Sequence, residues 1–155
     1  MIPVVKKATP AAIAVLRQAT ALKPKRKTAS DGLLPSAAHQ LQNPNSDHNT
    51  GYGVDVTHDP AFGIDGHEVY EHLKSDKRVK YLIFMGRIWS PIKGDHPYDG
   101  PNQHNHHCHI SINDNCGDDT SPWFPWLDKP AFKTADAARA AVAKLMPLPK
   151  KKENK

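Results

Sequence analysis

Residues 104–112 read HNHHCHISI, and this stretch decides the fold because a histidine cluster coincides with a strand pattern. Side chains of a β-strand alternate between its two faces. Over residues 106–112, His107, His109 and Ser111 share one face. The other face is apolar and consists of Cys108, Ile110 and Ile112. We expect the apolar face to pack in the core, with Cys108 as a small buried residue, so the histidines must face a cleft.

The stretch GVDVT at residues 53–57 alternates in the same way. Its pattern buries Val54 and Val56 and turns Asp55 towards the cleft. A carboxylate on one strand and an imidazole on the neighbouring strand can then meet at a single metal ion. His48 lies seven positions before Asp55, and the glycines between them permit a tight turn into the strand.

These residues together offer the ligands of a catalytic metal site. Two imidazole nitrogens, one carboxylate oxygen and an open fourth position are typical of catalytic zinc, whereas structural zinc sites are closed by four Cys or His ligands. The alternation alone leaves both His107 and His109 as candidates for the second imidazole. His39, in the segment AAHQ, either lines the same cleft or is a hydrogen-bonded structural histidine.

The remaining sequence predicts an α+β fold, with a small antiparallel sheet and flanking helices. Helices are expected from Pro10 to about Leu22, over residues 65–74 and over residues 134–146, with one short helical turn within residues 23–49. Further strands are expected at residues 79–85 and 88–89, joined by a turn at Gly86-Arg87. A loop rich in Pro, Gly, Asp and Asn is expected to lead from there to residue 106.

Composition narrows the class of protein. We expect one domain over residues 1–149 and a basic tail over residues 150–155, without an apolar run approaching the ~20 residues of a membrane span. The N-terminus lacks the features of a signal peptide, so synthesis in a cytosol is expected, and two cysteines make no disulfide framework. The net charge of +5 suits an anionic partner such as a nucleic acid or a cell-wall polymer. One basic cluster, which we expect to be solvated, is Lys23, Lys25, Arg26 and Lys27.

Two motifs resemble one family. SDHNTGYGVD, residues 46–55, is similar to the SxHxxGxxxD signature of the D-alanyl-D-alanine metallopeptidase superfamily, which includes the hedgehog signalling domain and phage endolysins. HNHHCH, residues 104–109, resembles the HxxHxH arrangement of the penicillin-insensitive murein endopeptidases in that superfamily. The resemblance covers roughly residues 28–123. It implies a fold like that of hedgehog and the DD-peptidases, with zinc in a cleft on the sheet.

The resemblance also implies roles for individual residues. His48, Asp55 and His109 match the zinc ligands of the superfamily. His107 matches the histidine beside the attacking water. His104 matches a second catalytic histidine in the cleft, which is expected to position or protonate the substrate and, when protonated, to help zinc hold the oxyanion.

Two further positions are implied on the substrate side of the site. Ser46 matches the motif serine, and Arg87 resembles a family arginine that could pair with a substrate carboxylate. Many relatives carry Glu or Asp as the general base shortly before the last histidine, whereas this chain has only histidines there. That difference favours the endopeptidase-like branch over the dipeptidase-like branch.

The expected function is therefore zinc-dependent hydrolysis of a peptidoglycan stem peptide, at a D-Ala cross-link or at the L-Ala–D-Glu bond. We expect a monomer that acts on the cell wall, as a lysis protein or virion component, and binds neither nucleic acid nor membrane. Two alternatives are a non-catalytic module that binds zinc or the wall, and a metal-dependent nuclease. The nuclease is the weaker alternative, because the sequence around HNH does not supply the ββα-metal hairpin that such an enzyme needs.

Overall fold

The computed structural model describes residues 7–128, which form an α+β fold built on a five-stranded antiparallel sheet. The strands, in the order β1-β5-β2-β3-β4 across the sheet, are β1 (Gly53–Thr57), β2 (Val79–Phe84), β3 (Arg87–Ser90), β4 (Gly94–Pro97) and β5 (His107–Ile112). The α-helices are α1 (Pro10–Leu22), α2 (Ala37–Gln42) and α3 (Gly66–Leu73). The fold class expected from the sequence is confirmed at this level. The helix expected over residues 134–146 and the basic tail lie outside the described residues.

Helix α1 begins where the sequence predicted it. The side chain of Thr9 accepts a hydrogen bond of 3.2 Å from the backbone N–H of Ala12, and Pro10 occupies the first helical position. One face of the helix, which includes Ala11, Val15 and Ala19, is fully buried. This face packs in the core together with the apolar face of the sheet.

The two strands at the centre of the prediction have the expected faces. β1 pairs with β5 in antiparallel register, so that Val54 lies opposite Ile110 and Val56 lies opposite Cys108. These four side chains are fully buried. Cys108 is therefore a packing residue, as predicted, and burial raises the pKa of its thiol far above the ordinary range.

The hairpin that joins β2 to β3 differs from the prediction by one residue. Its two-residue turn is Met85-Gly86, with φ of +50° and +76°. Positive φ at both positions is what a type I′ turn requires. Phe84 consequently pairs with Arg87, and Arg87 belongs to the strand instead of the turn. β4 was not expected from the sequence, and it pairs with β3 at the edge of the sheet.

The sheet separates the core from a cleft. Helices α1 and α3 pack on one face, with the buried side chains of β1, β2 and β5. The opposite face carries the histidines of β5. Within residues 7–128, no helix combines the length and apolarity needed to cross a lipid bilayer.

Candidate metal centre

Three side chains from β1, β5 and the turn before β1 converge on one point. His48, Asp55 and His109 each offer one ligand atom, and these atoms all lie within 4.8 Å of one another. His48 and His109 are buried, with 7% and 4% of their surface exposed, and Asp55 is half-buried. The group could hold a metal ion.

The backbone of the sheet brings two of these side chains together. Asp55 and His109 lie opposite each other in the register of β1 and β5. Asp55 exchanges its backbone hydrogen bonds with Gly32 on its other side. Asp55 and His109 are therefore a non-hydrogen-bonded pair, the type in which facing side chains are closest. Nδ1 of His109 accordingly lies 2.9 Å from Oδ1 of Asp55.

His48 reaches the site from a short 3-10 helix, Asp47–Thr50. Oγ of Ser46 caps this turn by accepting a hydrogen bond of 3.2 Å from the backbone N–H of His48. Gly51 ends the turn with a left-handed φ of +83°. A Cβ atom on Gly53 would lie only 2.8 Å from the backbone nitrogen of His48. The glycines between His48 and β1 thus permit the close approach that the spacing predicted.

A hydrogen bond on the far side of His48 decides which ring nitrogen faces the site. Nδ1 lies 2.6 Å from the backbone oxygen of Leu33. Because a carbonyl oxygen only accepts, Nδ1 carries a proton and donates it. In the neutral ring Nε2 then holds a lone pair, at 3.2 Å from Oδ2 of Asp55. Two acceptors at this separation repel each other unless a proton or a metal ion lies between them.

The donor atoms fit a zinc ion. Two ligands at ~2.1 Å from a tetrahedral zinc are roughly 3.4 Å apart. The corresponding separations are 3.2 Å from Nε2 of His48 to Oδ2 of Asp55 and 2.9 Å from Nδ1 of His109 to Oδ1, the other carboxylate oxygen, and all the ligand atoms lie within 4.8 Å of one another. His109 is also held on its far side, where Nε2 lies 2.8 Å from Oγ of the buried Ser111. Such far-side hydrogen bonds orient histidine ligands at metal sites.

The electrostatics of the group favour a cation. Burial alone would raise the pKa of Asp55, but the hydrogen bonds from His109 and His48 outweigh burial and hold that pKa well below its usual range. Burial alone would lower the pKa of His48, but the hydrogen bond and the charge of Asp55 outweigh it and raise that pKa. Asp55 is therefore ionised at physiological pH, and its charge favours a cation, either a proton or a metal ion, on the ring nitrogen of His48 that faces it.

His104 and His107 lie beside the metal-ligand group. Nε2 of His107 is 3.5 Å from Oδ2 of Asp55, and the ring centroids of His104 and His107 are 5.0 Å apart. Burial, followed by the neighbouring histidines, lowers the pKa of His104 to about 4. Burial also lowers the pKa of His107. Both rings are therefore neutral at neutral pH.

The tautomer of His104 follows from one contact. Its Nδ1 lies 2.8 Å from the backbone oxygen of Asn102, so in the neutral ring Nδ1 carries the proton and Nε2 a lone pair. The expected role of a protonated His104 in holding an oxyanion stays a prediction, and the lowered pKa of this ring at neutral pH favours the neutral form instead. The backbone of His104 has a left-handed φ of +59°, and its N–H donates to Oδ1 of Asn102 at 3.0 Å. Asn102 thus holds His104 as a proton acceptor.

A cavity of about 980 Å³ is lined by the five side chains described above, which are His48, Asp55, His104, His107 and His109. This volume is at the upper end for small-molecule sites. The cavity is also lined by residues 42–46, which begin with the last residue of α2, and by Tyr98 and Asn102. Ser46 is among these residues, so it lies both behind His48 and at the cavity surface. His39 lines the cavity as well, and its buried Nδ1 has no hydrogen-bond partner among residues 7–128.

Tyr81 is a cavity residue that the sequence analysis missed. It extends from β2 and stacks on the ring of His109, with the centroids 5.6 Å apart and an interplanar angle of 30°. Burial, together with the charge of Asp47, raises the pKa of Tyr81 to about 12, so its hydroxyl keeps its proton. Side-chain alternation, applied to β2 as it was to β1 and β5, places Tyr81 and Ile83 on the cleft face. Tyr81 could therefore have been predicted from the sequence as a cavity residue.

Arg87 is not brought to the site. Its Nε and Nη2 lie 2.8 and 2.7 Å from Oδ1 of Asp95 on β4, and Lys74 pairs with the same carboxylate. Arg87 lies opposite Phe84, whose side chain is buried in the core. Facing residues of paired strands share a face, so Arg87 lies on the face opposite the cleft. The expectation that Arg87 pairs with a substrate carboxylate is therefore corrected.

Comparisons of the chain with protein-family models, with curated proteins and with solved structures give no match. The resemblance to the D-alanyl-D-alanine metallopeptidase superfamily thus depends on the two sequence motifs.

Proposed function

We propose that this protein is a zinc-dependent peptidase that cleaves the stem peptides or cross-links of peptidoglycan. The observation that carries the proposal is the convergence of His48, Asp55 and His109 in a cavity that also holds two neutral histidines. Three protein ligands with a solvent-accessible side are typical of catalytic zinc, whereas a structural site is closed. The superfamily motifs supply the substrate class, a D-Ala cross-link or the L-Ala–D-Glu bond.

The residues divide the chemistry among them. His48, Asp55 and His109 would hold the metal, and a zinc ion bound there would polarise the scissile carbonyl and acidify the attacking water. His107, neutral and 3.5 Å from Asp55, accepts the proton of that water and returns it to the leaving amine. His104 presents the lone pair of Nε2 to the cavity and accepts a hydrogen bond from the substrate or from the water.

The surroundings of the site support a polymeric, anionic substrate. The cavity of about 980 Å³ is large enough for part of a peptide, and residues 42–46, Tyr98 and Asn102 are among the residues that line it. The net charge of +5 attracts the protein to an anionic wall over a distance set by the ionic strength. Tyr81 lines the cavity beside His109 and keeps its hydroxyl proton.

Digestion of purified sacculi with and without a chelator tests the proposal. We expect the turbidity to fall and soluble peptides to appear without new reducing sugar ends, and we expect the chelator to stop both changes. Mass spectrometry of the released muropeptides identifies the bond. Lysis that persists in chelator contradicts the zinc mechanism, and cleavage of DNA alone indicates a nuclease. Zinc binding without release of peptides indicates a non-catalytic module.

A further inference from the structure

Residues 26–33, which we name the strap, run along the outer edge of β1 and contact two residues of the metal centre. Gly32 and Asp55 exchange backbone hydrogen bonds of 3.1 and 2.9 Å. The next carbonyl, that of Leu33, accepts the 2.6 Å hydrogen bond from Nδ1 of His48. A Cβ atom on Gly32 would lie 3.1 Å from Oδ2 of Asp55, so there is little space between strap and carboxylate. The strap thus reaches both ligands through its backbone.

A buried ion pair anchors the strap. The side chain of Arg26 is 1% exposed and donates to both oxygens of Asp31, at 3.0 and 2.7 Å. Oδ1 of Asp31 also accepts from the backbone N–H and the hydroxyl of Thr57, at 3.0 and 2.7 Å. The hydroxyl oxygen of Thr57 in turn accepts from the backbone N–H of Ser30 at 3.0 Å. Asp31 therefore ties the strap to the end of β1, and Arg26 ties it to α1 by donating from Nε to Oγ1 of Thr20 at 3.2 Å.

We propose that Asp31, with Arg26, is a positioning residue for the metal centre. By holding the strap against β1, this pair keeps the Leu33 carbonyl at Nδ1 of His48. The carbonyl holds the ring proton on Nδ1, which leaves Nε2 as the ligand nitrogen and sets the plane of the ring. Without this acceptor the neutral ring populates both tautomers, and only one of them can bind the metal. The inference rests on the metal centre of the proposed function and is independent of the reaction.

A matched ion pair elsewhere in the chain separates positioning from simple stability. Arg78 is buried and donates to both oxygens of Asp76, at 3.0 and 2.7 Å, and also to the backbone oxygens of Ser121 and Pro122. Neither Arg78 nor Asp76 lines the cavity of the metal centre. Asp76→Ala therefore removes a similar buried pair without touching the strap.

The test compares the zinc dissociation constants of the wild-type protein, Asp31→Ala and Asp76→Ala by competition with a chromophoric chelator. Asp31→Ala is expected to weaken zinc binding by roughly tenfold to a hundredfold, the usual effect of losing an outer-shell partner. Asp76→Ala is expected to leave the dissociation constant unchanged, although both variants unfold at a lower temperature than the wild type. Equal losses in the two variants, or none in Asp31→Ala, overturn the inference alone. A wild-type protein that binds no zinc overturns the proposed metal centre as well.

A milder variant covers the case in which Asp31→Ala does not fold. Thr57→Val removes the hydroxyl that bonds Asp31 and Ser30 and keeps a β-branched side chain in the strand. The readout is the ¹⁵N chemical shifts of the His48 ring in metal-free protein, at a pH where the ring is neutral. We expect the Nδ1–H tautomer alone in the wild type and a mixture of tautomers in Thr57→Val, together with weaker zinc binding. An unchanged tautomer and an unchanged zinc affinity in Thr57→Val overturn the inference.

Discussion

Acidification is expected to release the metal from this protein, and His48 sets a lower limit on the effect. Only the neutral ring binds a metal ion, so a proton on His48 competes directly with zinc. Burial acts to lower the pKa of His48, but the hydrogen bond and charge of Asp55 prevail and raise it above the ordinary value of 6.5. Competition by protons therefore begins near neutrality.

The loss of zinc affinity on acidification can be bounded because the pKa of His48 is raised above its ordinary value. With a pKa of 6.5, about 90% of His48 rings are neutral at pH 7.5 and about 3% at pH 5.0, which weakens zinc binding about 30-fold. With a pKa far above 7.5, the loss reaches its limit of tenfold for each pH unit, or about 300-fold. Between these pH values we therefore expect a loss of about 30- to 300-fold through His48 alone, equivalent to about 2 to 3.4 kcal/mol of binding free energy.

Isothermal titration with zinc measures both the affinity and the protons released. Titrations at pH 6 in two buffers with different ionisation heats are expected to show proton release on zinc binding. His96→Ala, which removes a half-buried histidine on β4 outside the cavity of the metal centre, serves as the control and is expected to keep the pH dependence. A change in affinity of less than about threefold between pH 7.5 and 5.0, with no proton release, would refute the assignment of His48 as a ligand.

Three substitutions test other parts of the site and fold. His107→Ala is expected to lower the rate of peptide hydrolysis by about a hundredfold or more while zinc content stays near that of wild type, and the exposed His106→Ala is expected to change neither. Arg87→Ala is expected to leave the KM for wall peptides unchanged, since Arg87 pairs with Asp95 away from the cleft, and a raised KM would return Arg87 to the site. Cys108→Ser is expected to lower the free energy of unfolding in urea by about 1–3 kcal/mol, because it buries a hydroxyl in the core, without changing zinc affinity.

The faces of β1 and β5 could be predicted from the sequence because each strand has an apolar set at period two. Val54, Val56, Ile110 and Ile112 can only be buried together if the other face, with Asp55 and His109, is turned away from the core. The register in which β1 pairs with β5 could not be predicted from the sequence. The short turn before β1, which contains glycines, nevertheless limits where His48 can lie relative to Asp55. The alternation therefore brought Asp55 and His48 together with either His107 or His109, and only the resemblance to the superfamily selected His109 as the third ligand.

Arg87 shows how a small error in a turn changes a functional assignment. A turn at Gly86-Arg87 leaves Arg87 outside the strand, whereas the observed turn at Met85-Gly86 pairs it with Phe84. Because side chains alternate along a strand, a shift of one residue moves a side chain to the opposite face. β4 was missed for a related reason: GDHP has no apolar alternation, and the strand forms because its backbone pairs with β3.

The position of the strap could not be predicted because its contacts with β1 and His48 join residues that are distant in sequence, although Arg26 and Asp31 within the strap are near neighbours. Arg26 was assigned to a solvated basic cluster, although 6% of the surface of the whole residue is exposed, its side chain is 1% exposed, and it pairs with Asp31. Nothing in the sequence indicated that Arg26 is buried whereas the neighbouring lysines are not. Which of several neighbouring cations is buried depends on the tertiary position of its partner, and that information is absent from a local pattern.

The pairing of Asp55 with His109 has a consequence for how the protein acquires its metal. The two residues are 54 positions apart, so this half of the site exists only after β1 and β5 have met, a non-local event that is slow in folding. Residues 104–109, in contrast, hold four imidazoles within six positions, and we expect them to bind zinc in the unfolded chain as well. Zinc present from the start would then stabilise the unfolded chain along with the folded protein and slow the pairing of β1 with β5. We therefore expect the proposed site to fill most efficiently when zinc is added after the chain has folded.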